Sequence, residues 1–298
     1  MDRFKDAKKV GIIGIVGNIF LLTIKLAIAL VTKSQGMIAD SLNSALDIFS
    51  SAMTYIGTKV SEKPKDESHP YGHEKAEYIF SFIISIVMIL SAMTIIKSSV
   101  ENIITKQVFT FSPWLYVVCI VTIATKFCLF LYTKTIGKKG KNILIMTNAE
   151  DHRNDMLLTT GTFIGVVASK MGLYYVDGII GVAISAWICY VGVKIMLDSI
   201  KVLMDENLGK IELETLTKIA EDNEYVLHVD SIVAKPIGVK YIIVLKVSMH
   251  GETTLNESHK QSGIIKAAFK KANTDIEDVI IHINPHDSTE KKKSKKQI

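Results

Sequence analysis

Cysteine is scarce in this sequence of 298 residues, which contains three of them. Cys119, Cys128 and Cys189 lie within apolar runs, and their spacings are unrelated. Neither a disulfide framework nor a thiolate metal site can be built from such an arrangement. We therefore interpret the three side chains as small apolar residues of a packed interior.

A cleavage site of small residues is also lacking after the first apolar run. The charged segment 1–9 leads directly into that run, as in a retained first membrane span rather than a removed signal peptide. No aromatic residues interleave with the basic cluster 291–296, so a nucleic-acid partner is not expected. We predict a solvated, disordered basic tail over residues 289–298, with contact to anionic membrane lipid as the alternative.

Long apolar runs, in contrast, are plentiful, and 48% of the residues are hydrophobic. A helix needs about 20 apolar residues to cross the hydrocarbon core of a bilayer. Segments of this kind occur at residues 10–31, 78–96, 114–132 and 176–196. Segments 37–56 and 142–168 are interrupted by polar residues and are weaker candidates for two further spans.

The distribution of Lys and Arg favours six spans over five. Six spans leave twelve basic residues in the cytoplasmic segments 1–9, 57–77 and 133–141, and four in the opposite loops. Cytoplasmic loops typically carry such an excess of positive charge. We therefore predict a multi-pass protein of the cell membrane with an all-α, six-helix transmembrane domain over residues 1–206 and both termini in the cytoplasm.

From residue 207 the pattern is that of a water-soluble domain. Helices are predicted over 211–223 and 255–273, and strands over 231–236, 241–249 and 279–283. The order αββαβ predicts a small α+β domain over residues 207–288, with its helices on one face of a sheet.

The two weaker spans contain an amide and three acids at matching spacings. An acidic side chain inside the bilayer costs about 2.5–3.5 kcal/mol, so such residues are candidates for a functional site. Asn43 and Asp47 are spaced i, i+4, and so are Asp151 and Asp155, which places each pair on one helical face. Counted from opposite ends of the two spans, Asp47 and Asp151 both lie about 15 Å deep. Antiparallel packing would place Asp47 beside Asp151 and Asn43 beside Asp155.

The alternative interpretation is that each acid pairs with a local base. Arg153 is adjacent in sequence to these acids, but its position on the helix suits Glu150 better. Lys25 and Lys126 also lie inside predicted spans, and each could neutralise one acid. Asp40 shares a helical face with the pair on the second span, where a structural role is the simpler interpretation.

Four segments together resemble the cation diffusion facilitator family of metal/proton antiporters. They are residues 39–47, the His-Pro-Tyr-Gly-His segment at 69–73 with its continuation to 77, residues 151–155 and residues 278–282. The resemblance implies a six-span homodimer with a metallochaperone-like, ferredoxin-like cytosolic domain. It also implies a transporter that exchanges a divalent metal for protons, and neither an enzyme nor a carrier of a prosthetic group.

Carried over by position, the family's transport site corresponds to Asn43, Asp47, Asp151 and Asp155. Zinc-transporting members usually have histidine at one or both first positions of these pairs, whereas this sequence has Asn and Asp. The combination is similar to the manganese-exporting branch. Oxygen ligands suit manganese, and imidazole suits zinc, but zinc outbinds manganese at most simple sites. Export of zinc, iron or cadmium therefore remains the alternative.

Asp66, His69 and His73 match a second metal site of the family, in the loop after the second span. Without the resemblance, two histidines flanking Pro70 and Gly72 would be interpreted as solvated loop residues. A membrane metallohydrolase that uses the two histidines is a distant alternative, because no nucleophile or general base accompanies them. A membrane receptor that binds metal without transporting it is a second distant alternative.

A third possible metal site lies in the cytosolic domain. Asp230, His259 and His282 match family ligand positions. Lys246 and Asn284 stand where zinc-binding members have a histidine and an aspartate, so the resemblance implies a reduced site or none.

Overall fold

The computed structural model describes residues 3–32, 35–105, 113–173 and 175–286. It divides into two compact units, Met1–Leu203 and Met204–Ile298. The predicted basic tail 289–298 lies outside the described residues.

The first unit consists of long helices. They are α1 (Arg3–Thr32), α2 (Gln35–Ser61), α3 (Ala76–Thr105), α4 (Pro113–Lys139), α5 (Ile143–Lys170) and α6 (Tyr175–Leu203). By length and composition, α1, α3, α4 and α6 are apolar enough to cross a membrane. The other two are the helices that polar residues were predicted to interrupt.

Helix α2 is less apolar than those four helices because it carries a buried stripe of hydroxyl side chains. The stripe consists of Ser41, Ser44, Ser50, Ser51, Thr54, Thr58 and Ser61. Thr54 donates to the Ser50 carbonyl oxygen at 3.0 Å, and Thr58 to that of Thr54 at 2.8 Å. A hydroxyl that donates to a carbonyl oxygen of its own helix needs no water, so it is tolerated inside a helix bundle.

Helix α5 occupies the centre of the unit, in contact with α2, α3, α4 and α6. Helix α1 packs along α2 at short range: a Cβ atom added at Gly11 would lie 2.9 Å from Tyr55 Cα. Only glycine allows two helix backbones to approach this closely. The six-helix domain predicted from the sequence is thereby confirmed.

One end of the bundle is closed by a buried acid. Glu77, at the start of α3, is 0% exposed and accepts hydrogen bonds from Arg3 Nη2 at 2.6 Å and Asn142 Nδ2 at 2.8 Å. Asn142 also caps α5, since its Oδ1 accepts the backbone N–H of Ile145 at 3.0 Å. The first turns of α1, α3 and α5 are therefore held together at this end.

The second unit is the predicted αββαβ domain. Its elements are α7 (Lys210–Glu221), β1 (His228–Pro236), β2 (Tyr241–His250), α8 (Leu255–Ala272) and β3 (Ile276–His286). The sheet order is β1-β2-β3, with β1 antiparallel and β3 parallel to β2. The parallel pair requires a crossover connection, which α8 provides.

Alternate residues of β2 build the core of this unit. The core includes Ile243, Leu245, Val247 and Met249 from β2, together with Leu216, Ala220, Ile265 and Phe269 from the two helices. Since successive side chains of a strand point to opposite faces, Lys246 and Ser248 lie on the face away from the helices.

Replacement of Phe269 tests this core. Because Phe269 is 0% exposed, Phe269→Ala should lower the free energy of unfolding of the domain by about 3–5 kcal/mol. The matched control on the same helix, Leu255→Ala, should change it by less than about 0.5 kcal/mol, because Leu255 is 85% exposed. Hydrogen exchange of the β2 amides in the full chain measures both, and equal effects would contradict the assigned core.

Candidate metal centre

Three carboxylates from two helices lie together in the interior of the membrane unit. Asp47 on α2 is 6% exposed, Asp151 on α5 is 9% exposed, and Asp155 lies one turn further along α5. One oxygen atom from each of the three lies within 4.8 Å of the others. The helical spacing and the matching depths predicted that the first two would be neighbours, and the structure brings all three together.

Asn43 lines the same cavity as the three acids. Polar side chains of α2 and α5 form one wall, including Ser50 and Asn154. Helices α3 and α6 contribute mainly apolar side chains to the lining, such as Met88 and Ile188. Neither histidine nor cysteine is among the described residues that line the cavity. The polar groups that face it therefore present mainly oxygen to a bound cation.

A lysine from a third helix reaches this centre. Lys126, at the midpoint of α4, is 1% exposed. Its Nζ lies 2.7 Å from Asp47 Oδ2 and 2.5 Å from Asp155 Oδ2. From the sequence we expected Lys126 to be able to neutralise one acid. In the structure it bridges two acids from different helices.

Several polar atoms around the centre have no hydrogen-bond partner among the described residues. They include Asp151 Oδ2 and both side-chain polar atoms of Asn148 and of Asn154. Buried polar groups in proteins are almost always paired, so a cluster of unpaired ones marks a place where water or an ion binds. The acid that Lys126 leaves uncontacted is thus open to an incoming cation.

The other candidate bases serve other acids. Arg153 pairs with Glu150, as the spacing of the two residues favoured. Lys25 Nζ lies 2.9 Å from Asp40 Oδ2. Local pairing with Arg153 therefore does not neutralise Asp151 or Asp155.

The loop between α2 and α3 contains a second cluster. Asp66 Oδ1 accepts the backbone N–H of His69 at 2.6 Å, and His73 Nε2 lies 3.5 Å from Asp66 Oδ2. One ligand atom of each of the three side chains lies within 4.8 Å of the others. The backbone hydrogen bond from His69, followed by that from its side chain, lowers the pKa of Asp66. This arrangement is a three-ligand set on an exposed loop.

The cytosolic candidates are not brought together. Asp230 accepts from Ser248 Oγ at 3.0 Å and from Asn284 Nδ2 at 2.8 Å, and it pairs with His228 Nε2 at 2.7 Å. These contacts place it on the face of the sheet away from the helices. His259 lies exposed on α8, which packs on the opposite face.

His282 shares the Asp230 face and contacts Asn284 Oδ1 at 3.0 Å. Within the described part of the chain, no cluster of three close metal-ligand atoms forms in the cytosolic unit. Asp230 and His282 thus lie on one face of the sheet, whereas His259 lies on the helix that packs on the other face. His228, which was not predicted as a ligand, forms an ion pair with Asp230.

Nearly the whole chain matches two known domain families. Residues 11–204 match the cation efflux transmembrane domain, and residues 208–286 match the cytoplasmic domain of cation efflux proteins. The chain therefore belongs to the cation efflux, or cation diffusion facilitator, family of membrane transporters. This result confirms the family resemblance and the multi-pass membrane location, and it removes the metallohydrolase alternative.

Three relatives are similar to this chain over almost their whole length. An uncharacterised transporter of Methanocaldococcus jannaschii is 33% identical over 275 residues, which cover 92% of this chain and 96% of the relative. The manganese efflux system protein MneP of Bacillus subtilis is 26% identical, with 96% of this chain and 98% of the relative covered. The manganese efflux system protein MneS of the same organism is 28% identical, with 96% and 99% covered.

Acidification should release metal from the loop cluster. An imidazole nitrogen binds metal only when it carries no proton, so protons compete with the metal for the two histidines, whereas the lowered pKa keeps Asp66 charged. Zn²⁺ affinity at the loop should therefore fall by about tenfold or more between pH 7.5 and pH 5.5. Calorimetry on the Asp47→Asn/Asp151→Asn/Asp155→Asn variant of the full chain isolates this binding.

Two further variants identify the ligands of the loop. His69→Ala/His73→Ala should abolish the pH-dependent binding, whereas Glu67→Gln in the same exposed loop should leave it unchanged. Binding that persists without both histidines would show that the loop cluster is not a metal site.

Proposed function

We propose that this cation efflux transporter exports Mn²⁺ from the cytoplasm through a site formed by Asn43, Asp47, Asp151 and Asp155. The observation that carries the proposal is the convergence of three carboxylates from α2 and α5 within 4.8 Å. The amide of Asn43 lines the same cavity and supplies a fourth oxygen. A set of hard oxygen ligands without imidazole or thiolate suits manganese better than zinc.

The names of two relatives support the same metal. MneP and MneS are manganese efflux system proteins, and each is similar to this chain over 96% of its residues. Zinc, iron and cadmium are the competing cargoes. Zinc is the strongest competitor, because simple ligand sets bind it more tightly than manganese and selectivity must then come from geometry and metal supply.

Transport is proposed to proceed by alternating access, with protons moving in the opposite direction. Metal and protons compete for the same carboxylate oxygens, so metal release and proton uptake occur at one place. Rocking of the helices around a fixed central site would open it to one side and then to the other. The excess of Lys and Arg in segments 1–9, 57–77 and 133–141 supports cytoplasmic termini.

A homodimer is proposed as the working form, on the basis of family membership. The Asp66, His69 and His73 cluster would act as an accessory metal site at the predicted cytoplasmic surface. Its three ligand atoms lie close enough to bind one ion, and its exposure allows metal to exchange with the cytosol. Such a cluster would raise the local metal concentration near the membrane unit.

Removal of the acids tests the transport site. In proteoliposomes, Asp47→Asn and Asp155→Asn should each reduce Mn²⁺ flux by at least about tenfold, because loss of even an outer-shell partner of a metal costs about that much. Asp198→Asn is the control, since Asp198 lies on α6 and its partner is Lys201 at 3.9 Å. Undiminished flux in both acid variants would refute the assignment.

Ligand exchange tests the metal preference. Asn43→His combined with Asp151→His should shift the flux ratio from Mn²⁺ towards Zn²⁺, because imidazole replaces two oxygen ligands. Flux of Mn²⁺, Zn²⁺, Fe²⁺ and Cd²⁺ is compared side by side in the parent and the variant, with internal pH recorded. A parent that prefers Zn²⁺, or a variant with the parent's profile, would contradict the manganese proposal.

A further inference from the structure

Two lysine side chains are buried in the described part of the membrane unit, and they differ in their surroundings. Lys25 pairs with Asp40, which is partly exposed. Lys126 lies at the centre of the unit, with its Nζ 2.7 Å from Asp47 Oδ2 and 2.5 Å from Asp155 Oδ2. The ammonium group thus contacts two of the oxygen ligands of the proposed transport site.

The position of this ammonium overlaps that of a metal ion. Hard divalent cations bind carboxylate oxygens at about 2.0–2.6 Å, close to the distances at which Lys126 binds these two. An ammonium and a metal ion cannot both lie between Asp47 and Asp155. Binding of metal to both acids therefore requires Lys126 to move away.

The ammonium also gives the metal-free site a counter-charge. Buried carboxylates without a partner strongly destabilise a protein, and a lysine tethered beside them removes much of that cost. Asp151 has a different environment, because its Oδ2 has no hydrogen-bond partner among the described residues. Lys126 thus forms ion pairs with two of the acids, and one oxygen of the third acid remains available to bind a metal ion.

We propose that Lys126 is a tethered competitor of the transported cation. The metal first binds at the unpartnered Oδ2 of Asp151, and it then displaces the ammonium from Asp47 and Asp155. Return of the ammonium to these two oxygens expels the metal on the release side. The inference rests on the proposed transport site and assigns a role in metal affinity and release to a residue of α4.

A neighbouring hydroxyl offers the displaced ammonium a place to bind. Thr122 lies one turn before Lys126 on the same helix, is buried, and its Oγ1 has no hydrogen-bond partner in the described part of the chain. Residues four apart lie on one helical face, so a lysine side chain can reach this oxygen by changing its rotamer. The two positions of the ammonium would then correspond to the empty and the loaded site.

Neutralisation of Lys126 tests the proposal. Lys126→Met should raise the equilibrium affinity of the full chain for Mn²⁺ by about tenfold or more, because the competing charge is gone. The same variant should transport Mn²⁺ more slowly in proteoliposomes, since release is no longer assisted. Competition with a fluorescent chelator in detergent measures the affinity. A residue with a merely structural role would lower affinity and transport together.

Matched variants separate charge from packing. Lys126→Arg keeps the charge and should stay close to the parent in affinity. Lys25→Met removes the buried lysine whose ammonium pairs directly with Asp40, and it should raise the affinity far less than Lys126→Met. Thr122→Val leaves the competitor intact and should weaken Mn²⁺ binding, because the displaced ammonium loses its alternative partner. This last variant provides a test if Lys126→Met does not fold.

The results distinguish this proposal from the transport site itself. If Lys126→Met, or Thr122→Val in its place, leaves Mn²⁺ affinity unchanged or moves it in the opposite direction, the role of Lys126 is refuted. If Asp47→Asn and Asp155→Asn nevertheless lose binding, the transport site stands without it. Parent-like binding in both acid variants would overturn the site and the inference together.

Discussion

The burial of acidic groups at the centre of a membrane protein is the constraint on which this structure depends. Asp47, Asp151 and Asp155 are largely buried, so their charge must be balanced by nearby protein groups or by a cation. The two helices that carry the acids lie against each other, and α5 contacts three further helices, which keeps the acids inside the bundle. The need to balance their charge explains why a lysine at the midpoint of α4 points into the bundle.

The neighbouring positions of Asp47 and Asp151 could be predicted because helix geometry is almost invariant. A spacing of four residues fixes a face, and a count from the end of a span fixes a depth, without any knowledge of side-chain packing. The strands were predictable for a similar reason. Residues 241–249 are rich in β-branched and aromatic side chains, and the structure places a strand at Tyr241–His250.

Features that depend on how elements turn towards each other were not predictable. Whether Lys126 would contact one acid, two or none depends on the rotation of α4 about its own axis, which an apolar sequence does not specify. The separation of His259 from Asp230 depends on which face of the sheet α8 covers. The bulge of β1 between Val229 and Ser231 likewise has no clear signal in the sequence.

The polar character of α2 and α5 also constrains how the protein is made. A polar segment inserts inefficiently from the translocon into the bilayer on its own, and it needs a neighbouring apolar segment to accompany it. Each of the two follows directly after an apolar helix, α1 or α4, and packs against it in the finished structure. We therefore expect α1 to insert together with α2, and α4 together with α5, as helical hairpins. The order of synthesis then brings together the helix pairs that surround the acids in the folded protein.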